Sequence, residues 1–249
     1  MQKLVALSLW VALATGPTLL PAADPAPAAG RQTKLIEGWT VHISDQLWQQ
    51  DRAATERALE LLTLQLQEIK RVVPAPAVAQ LLQVPLWFSS EYPKVPPRAE
   101  YHPDAGWLRK NDRDPAMARG IEFTNVRIFE RETKRMPNFA LHELAHAYHH
   151  RVLAKGFDNP ELKAAYEQAK SAGLYERVER RFGDGRSARE RAYAMSNPQE
   201  YFAECSEAFF STNDFFPFDR SQLTKHDPAM FALLGKLWGQ TVESSRAQP

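Results

Sequence analysis

Pro137-Asn138-Phe139-Ala140-Leu141-His142-Glu143-Leu144-Ala145-His146-Ala147-Tyr148-His149-His150 is the stretch on which the reading of this chain turns. Pro137 suits a helix start and Gly156 a helix stop, so a helix is expected from Pro137 to about Lys155. On it lies His142-Glu143-Leu144-Ala145-His146, an HExxH pattern. Residues four apart on a helix sit about 40° apart round the axis, so both imidazoles can reach one ion. Zn²⁺ suits neutral imidazole nitrogens and a tetrahedral site with one position open. Glu143 emerges beside the first ligand, where its carboxylate can act as base toward a water. Leu141, Ala145, Tyr148 and Val152 form an apolar stripe next to the histidines, so the helix can bury one side while its histidines line a cleft. His150 is four residues beyond His146, but Ala147 stands where a base would be needed. His149 and His150 are therefore read as supporting or exposed residues.

A catalytic zinc usually takes a third protein ligand. The downstream candidates are carboxylates, because Cys205 and His226 have no matching motif around them. Asn197-Pro198-Gln199-Glu200 opens a helix to about Ser211, with Glu200, Glu204 and Glu207 on one face and Phe202, Cys205 and Phe209 on the other. Asn197 and Glu200 also fit a capping box, so spacing alone leaves the third ligand open.

HELAH, followed by Tyr193, Asn197 and Glu200-Tyr201-Phe202-Ala203-Glu204, resembles the catalytic domain of the anthrax lethal factor family of zinc metallopeptidases, which includes small secreted members such as the Pro-Pro endopeptidases. The likeness covers roughly residues 119–211 and is tight in two short blocks. It implies His142, His146 and Glu200 as zinc ligands, Glu143 as general base and Tyr193 as the hydroxyl that supports the oxyanion. It implies Glu204 as the carboxylate that steadies a ligand histidine. The toxin's translocation and recognition domains have no room at this length, so its substrate choice does not carry over.

The rest of the chain is consistent with an exported enzyme. Met1-Gln2-Lys3, an apolar run from Leu4 to Ala14 and a Pro/Ala tail form a secretory signal pattern over residues 1–23, with cleavage between 22 and 29. Residues 24–33 read as a mobile lead-in, and 34–249 as one metallopeptidase domain. Lys+Arg number 31 and Asp+Glu 30, which gives no electrostatic case for nucleic acid or an anionic membrane. The single Cys205 excludes a disulfide framework and reads as a buried, inert thiol.

Strand patterns at Trp39–Ser44, 84–88 and 120–129 precede helices at 51–73, 137–155, 161–172, 197–211 and 228–238. Residues 90–118, rich in proline, read as an irregular loop. The expected class is α+β: a zincin-like domain with a small N-terminal mixed sheet plus helix, the HExxH helix, and a mainly helical C-terminal part. The resemblance to zincins implies that segment 120–129 is the edge strand that pairs with a peptide substrate, while the residues alone fit a plain interior strand equally well. Tyr92, Tyr101, Trp107, Phe215, Phe216 and Phe218 read as core more readily than as specificity pockets. The expected function is zinc-dependent hydrolysis of protein or peptide substrates. The alternatives are an amidohydrolase acting on a cell-wall peptide, or a non-catalytic binder on the same scaffold.

Overall fold

A short hairpin opens the described chain, which in this computed structural model comprises residues 30–239. The signal segment and most of the lead-in expected from the sequence lie outside those residues. Glu37 and Gly38 both take positive φ, 52° and 98°, the two-residue turn that matches strand twist. They join β1 (Arg31–Ile36) to β2 (Trp39–Ser44) antiparallel. The lead-in was expected to run to residue 33, but the strand already begins at Arg31. Its polar residues Gln32, Thr33 and Lys34 suit an edge and hid the pattern.

Next come α1 (Asp45–Gln50), α2 (Arg52–Val72), α3 (Ala75–Leu81) and β3 (Leu86–Phe88). Segment 90–118 is less irregular than expected: it carries β4 (Ala99–Tyr101) and α4 (Ala105–Lys110), and β5 (Ile121–Phe123) follows. The sheet order is β1-β2-β3-β5-β4, with β2, β3 and β5 parallel and the two outer strands antiparallel to their neighbours. β5 is thus interior, and the open edge next to it is β4. The alternation through 120–129 stops at Phe123, and Phe129 already opens α5 (Phe129–Arg135).

Register explains why the sheet needs cover on both faces. Val41, Leu86, Ile121 and Tyr101 align across the strands, as do Ile43, Phe88, Phe123 and Ala99. These rows join one continuous core with Leu59, Leu62 and Leu66 of α2 and with Leu141 and Leu144 of α6 (Phe139–Arg151). The intervening row, Thr33, His42, Trp87, Glu122 and Glu100, faces the other way. There Trp87 packs on Leu108 and Met117 of the 90–118 segment.

The second half is mostly helical, with α7 (Pro160–Ser171), α8 (Pro198–Phe210), α9 (Arg220–His226) and α10 (Pro228–Leu237). A small hairpin of β6 (Val178–Arg181) and β7 (Ser187–Glu190) turns at Gly183 and Gly185. The fold is α+β, with a small mixed sheet and helices. Among the described residues no helix is long and apolar enough to cross a membrane.

Candidate metal centre

The central helix α6 is buried from Phe139 to His149, save for a half-buried Glu143; His150 is half-buried and Arg151 exposed. Its start is secured twice. Asn138 accepts from the Leu141 N–H (3.1 Å), and Gln65 of α2 accepts from the Ala140 N–H (3.0 Å). Asn138, not Pro137, is therefore the cap. α8 packs against α6 and has the expected cap: Asn197 Oδ1 accepts from the Glu200 N–H at 2.9 Å, with Pro198 in the first turn. The Glu200 carboxylate does not return to the cap. It points at the α6 histidines.

Three atoms converge there. His142 Nε2 lies 3.1 Å from His146 Nε2 and 3.1 Å from Glu200 Oε2, and His146 Nε2 lies 3.3 Å from the same oxygen. Donors held at about 2.0–2.1 Å round a tetrahedral ion stand about 3.3 Å apart, so the triangle has the dimensions of a metal site. His142 is flanked by a carboxylate on each ring nitrogen: Nδ1 pairs with Glu207 Oε1 at 2.5 Å and Nε2 faces Glu200. Without an ion, a second proton on His142 satisfies Glu200, and a metal ion among the three atoms would take that proton's place. Burial opposes charge on His142, yet the hydrogen bonds to Glu200 and Glu207 raise it well above an ordinary histidine. Burial likewise works against ionised Glu200, but the two histidines hold it well below the usual carboxylate range.

Glu207 takes the role expected of Glu204. The Glu204 carboxylate stands 3.7 Å from His142 Nδ1, beyond hydrogen-bond reach, while Glu207 is in short contact with it. Both acids are buried in the α6–α8 interface, and burial pushes both upward, Glu207 to about 7. His142, Glu204 and Glu207 form a second buried group able to hold an ion. Its His142 nitrogen is already engaged by Glu207, whereas the first group opens on the cleft.

That cleft has a volume of about 890 Å³ and is bordered by β4, α6, the β7 end of the hairpin and the start of α8. Glu143 and Tyr193 both line it. Tyr193, half-exposed just before α8, is pushed up to about 12, first by burial and then by the charge of Glu200, so its phenol stays protonated at neutral pH. Glu143 Oε2 accepts from the backbone N–H of Tyr101 at 2.9 Å. The Tyr101 hydroxyl pairs with His150 Nδ1 at 2.9 Å, so one residue of β4 is tied to α6 at two points. His149 is fully buried against Phe157 and Phe202. Neither His149 nor His150 joins the convergent triangle.

The contribution of β4 follows from its pairing. His102 N–H donates to Gly120 O and Thr124 N–H to Arg98 O, so residues 98, 100 and 102 turn toward β5. Ala99 and Tyr101 turn outward to the cleft. The edge role expected of 120–129 thus falls to Ala99–Tyr101, three residues between Pro97 and Pro103, too short and too proline-flanked to read as a strand. Of the aromatics read as core, Tyr101, Phe215 and Phe218 are buried, Tyr92 and Phe216 are half-buried, and Trp107 is exposed against that reading; Tyr101 and Phe215 also line the cleft. Cys205 is buried, and its thiol is pushed up by that burial.

No family model, curated protein or solved structure matches this chain. The centre is a buried His/Glu group able to hold a metal ion, at the wall of a large cleft.

Proposed function

We propose that this chain is an exported zinc endopeptidase of the lethal-factor-like zincin type. The observation that carries the reading is the near-equilateral triangle of His142, His146 and Glu200, with Glu143 on the same helix turn and fixed beside it. Two imidazoles, one carboxylate and no thiol favour zinc with an open position. When bound, zinc lowers the pKa of water toward about 7 and polarises a carbonyl.

The chain's own groups supply the rest. Glu207 holds His142 in the tautomer that leaves Nε2 free for the ion. Glu143, steadied by the Tyr101 N–H, takes a proton from the attacking water and returns it to the leaving amine. Tyr193 donates its hydroxyl proton toward the developing oxyanion, a contact typically worth about 3 kcal/mol of barrier. Ala99 N–H and C=O, with Tyr101 C=O, offer an outward ladder to an extended chain. That ladder favours a peptide substrate over a non-peptide amide.

The test is cleavage of casein and a mixed peptide library by the zinc-loaded mature protein. Activity should fall by at least about a hundredfold in Glu143→Gln while zinc content stays unchanged. Peptides left intact while cell-wall peptide amides are cut would move the reading to an amidohydrolase. A mature protein that holds no zinc after dialysis against it would remove both enzyme readings.

A further inference from the structure

A second cavity, of about 310 Å³, lies behind α6 and is bordered by Gln80, Gln83, Arg119, His150 and Arg151 among others, with no carboxylate in its lining. The hydrogen-bonded pair Tyr101–His150 separates it from the cleft: Tyr101 lines one cavity and His150 the other. We propose that this cavity is a binding site for a small, doubly charged oxyanion of the phosphate or sulfate class.

Four observations carry this inference. First, Arg151 is clamped by backbone rather than by an acid: its Nη1 donates to Gln83 O (3.0 Å) and Arg119 O (3.3 Å), and this leaves its full charge in the pocket. Second, the Arg119 guanidinium has no hydrogen-bond or ion-pair partner among the described residues. Third, Arg119 sits at φ 62°, a left-handed conformation that costs a non-glycine residue about 1 kcal/mol. Its N–H is tied to His102 O (2.6 Å) and its C=O to Arg151, so the strained backbone is held from both sides. Fourth, His150 has Nδ1 occupied by Tyr101, so only Nε2 is left to meet a ligand. Burial, then Arg119 and Arg151, lower the histidine, which places both guanidinia within electrostatic reach of the ring. Asp104 is the one carboxylate that acts on it, and its Oδ1 is already taken by the Gly106 and Trp107 N–H groups of α4.

Two guanidinia, an imidazole and two side-chain amides form a donor set with no acceptor charge to satisfy it. Planar guanidinium forks suit oxyanions. The volume is at the lower end of small-molecule sites, about 300–1,000 Å³, so the fit is to a small ion with water or to one terminal group of a larger molecule.

The experiment is calorimetric titration of the mature protein at low ionic strength with inorganic phosphate, sulfate and glycerol phosphate. Saturable binding with Kd of about 1 mM or tighter is expected, weakened about tenfold in Arg119→Gln and partly restored in Arg119→Lys. Zinc content and unliganded Tm of both variants should match the wild type, because Arg119 is exposed. Tighter binding of glycerol phosphate than of phosphate would assign the site to a phosphate monoester, and the reverse to the free ion. Absence of saturable binding, or equal affinity in Arg119→Gln, overturns the proposal. The second outcome would place the anion at the zinc instead. Neither result depends on peptidase activity.

Discussion

Two buried histidine–glutamate clusters sit on opposite faces of the sheet and differ in one respect. Behind β4, Glu122 is saturated with donors: Tyr92 OH gives to Oε1 (2.8 Å), while His102 Nε2 (3.0 Å) and Arg113 Nη1 (3.2 Å) give to Oε2. Arg113 also reaches Glu100 at 2.8 Å and lies over Tyr92 and Trp107. Between α6 and α8 the same residue types meet without an arginine bonded to Glu200 or Glu207 among the described residues, and His142 has a carboxylate at each nitrogen. The first cluster is complete as protein. The second converges two imidazoles and a carboxylate on one point able to hold a metal ion. Burial and His/Glu composition do not separate the two, whereas the fixed arginine donor on Glu122 does.

The largest effect expected is on the incomplete cluster. Glu200→Ala should bind less than a tenth of an equivalent of zinc by elemental analysis, because two imidazoles alone hold a structured site poorly. Glu204→Ala should keep most of its zinc. Loss of zinc in Glu204→Ala with retention in Glu200→Ala would transfer the centre to the His142–Glu204–Glu207 group.

The complete cluster should fail differently. Glu122→Ala leaves His102 buried without its acceptor and Arg113 with Glu100 alone, a loss of about 3 kcal/mol by denaturant unfolding. Its folded fraction should bind zinc as the wild type does. A drop in zinc affinity would mean that the sheet cluster and the centre act as one unit.

How much of this was legible in the sequence depended on where the signal lies. HExxH is local, and helix geometry turns its spacing directly into convergence. Asn197-Pro198 likewise fixed the start of α8 and put Glu200 in its first turn. The choice between Glu204 and Glu207 as the partner of His142 depends on how α8 crosses α6. No local pattern encodes that crossing, because both residues lie on the same face. Glu207, seven residues after Glu200, was visible as part of that face but not as its hydrogen-bonding member. β4 escaped for a different reason: three residues give no period to read, and its identity as an edge arises only from pairing with β5. The polar β1 escaped similarly, because its partner β2 and the Glu37-Gly38 turn define it. The bond of Arg135 to Asp214 (2.7 Å) belongs to the same class of long-range contact.

The assignment of Glu207 gives the next test. Glu207→Ala should leave the three converging side chains in place but free the His142 ring to turn and change tautomer. Zinc affinity, measured by competition with a chromophoric chelator, should fall about 10–100-fold. An unchanged affinity would show that packing alone orients His142.

The smallest effect concerns His149, which separates helix packing from metal binding on the same α6. Burial, then the neighbouring His146 and His150, lower its pKa to about 3. An unfolded histidine titrates near 6.5, so between those values the unfolded chain binds the additional proton. Stability from this residue is therefore complete above about pH 6.5 and is lost as pH falls toward 3, with a slope of at most about 1.4 kcal/mol per pH unit. His149→Leu should flatten this part of the pH dependence of Tm relative to wild type, while zinc content at neutral pH stays the same. Both proteins should be compared after zinc removal, so that metal release does not enter the curve. If the two apo-proteins lose stability in parallel, His149 is already satisfied in its charged form. If His149→Leu loses zinc at neutral pH, the ring one turn beyond His146 belongs to the centre after all, and the separation of His149 from His142 and His146 fails.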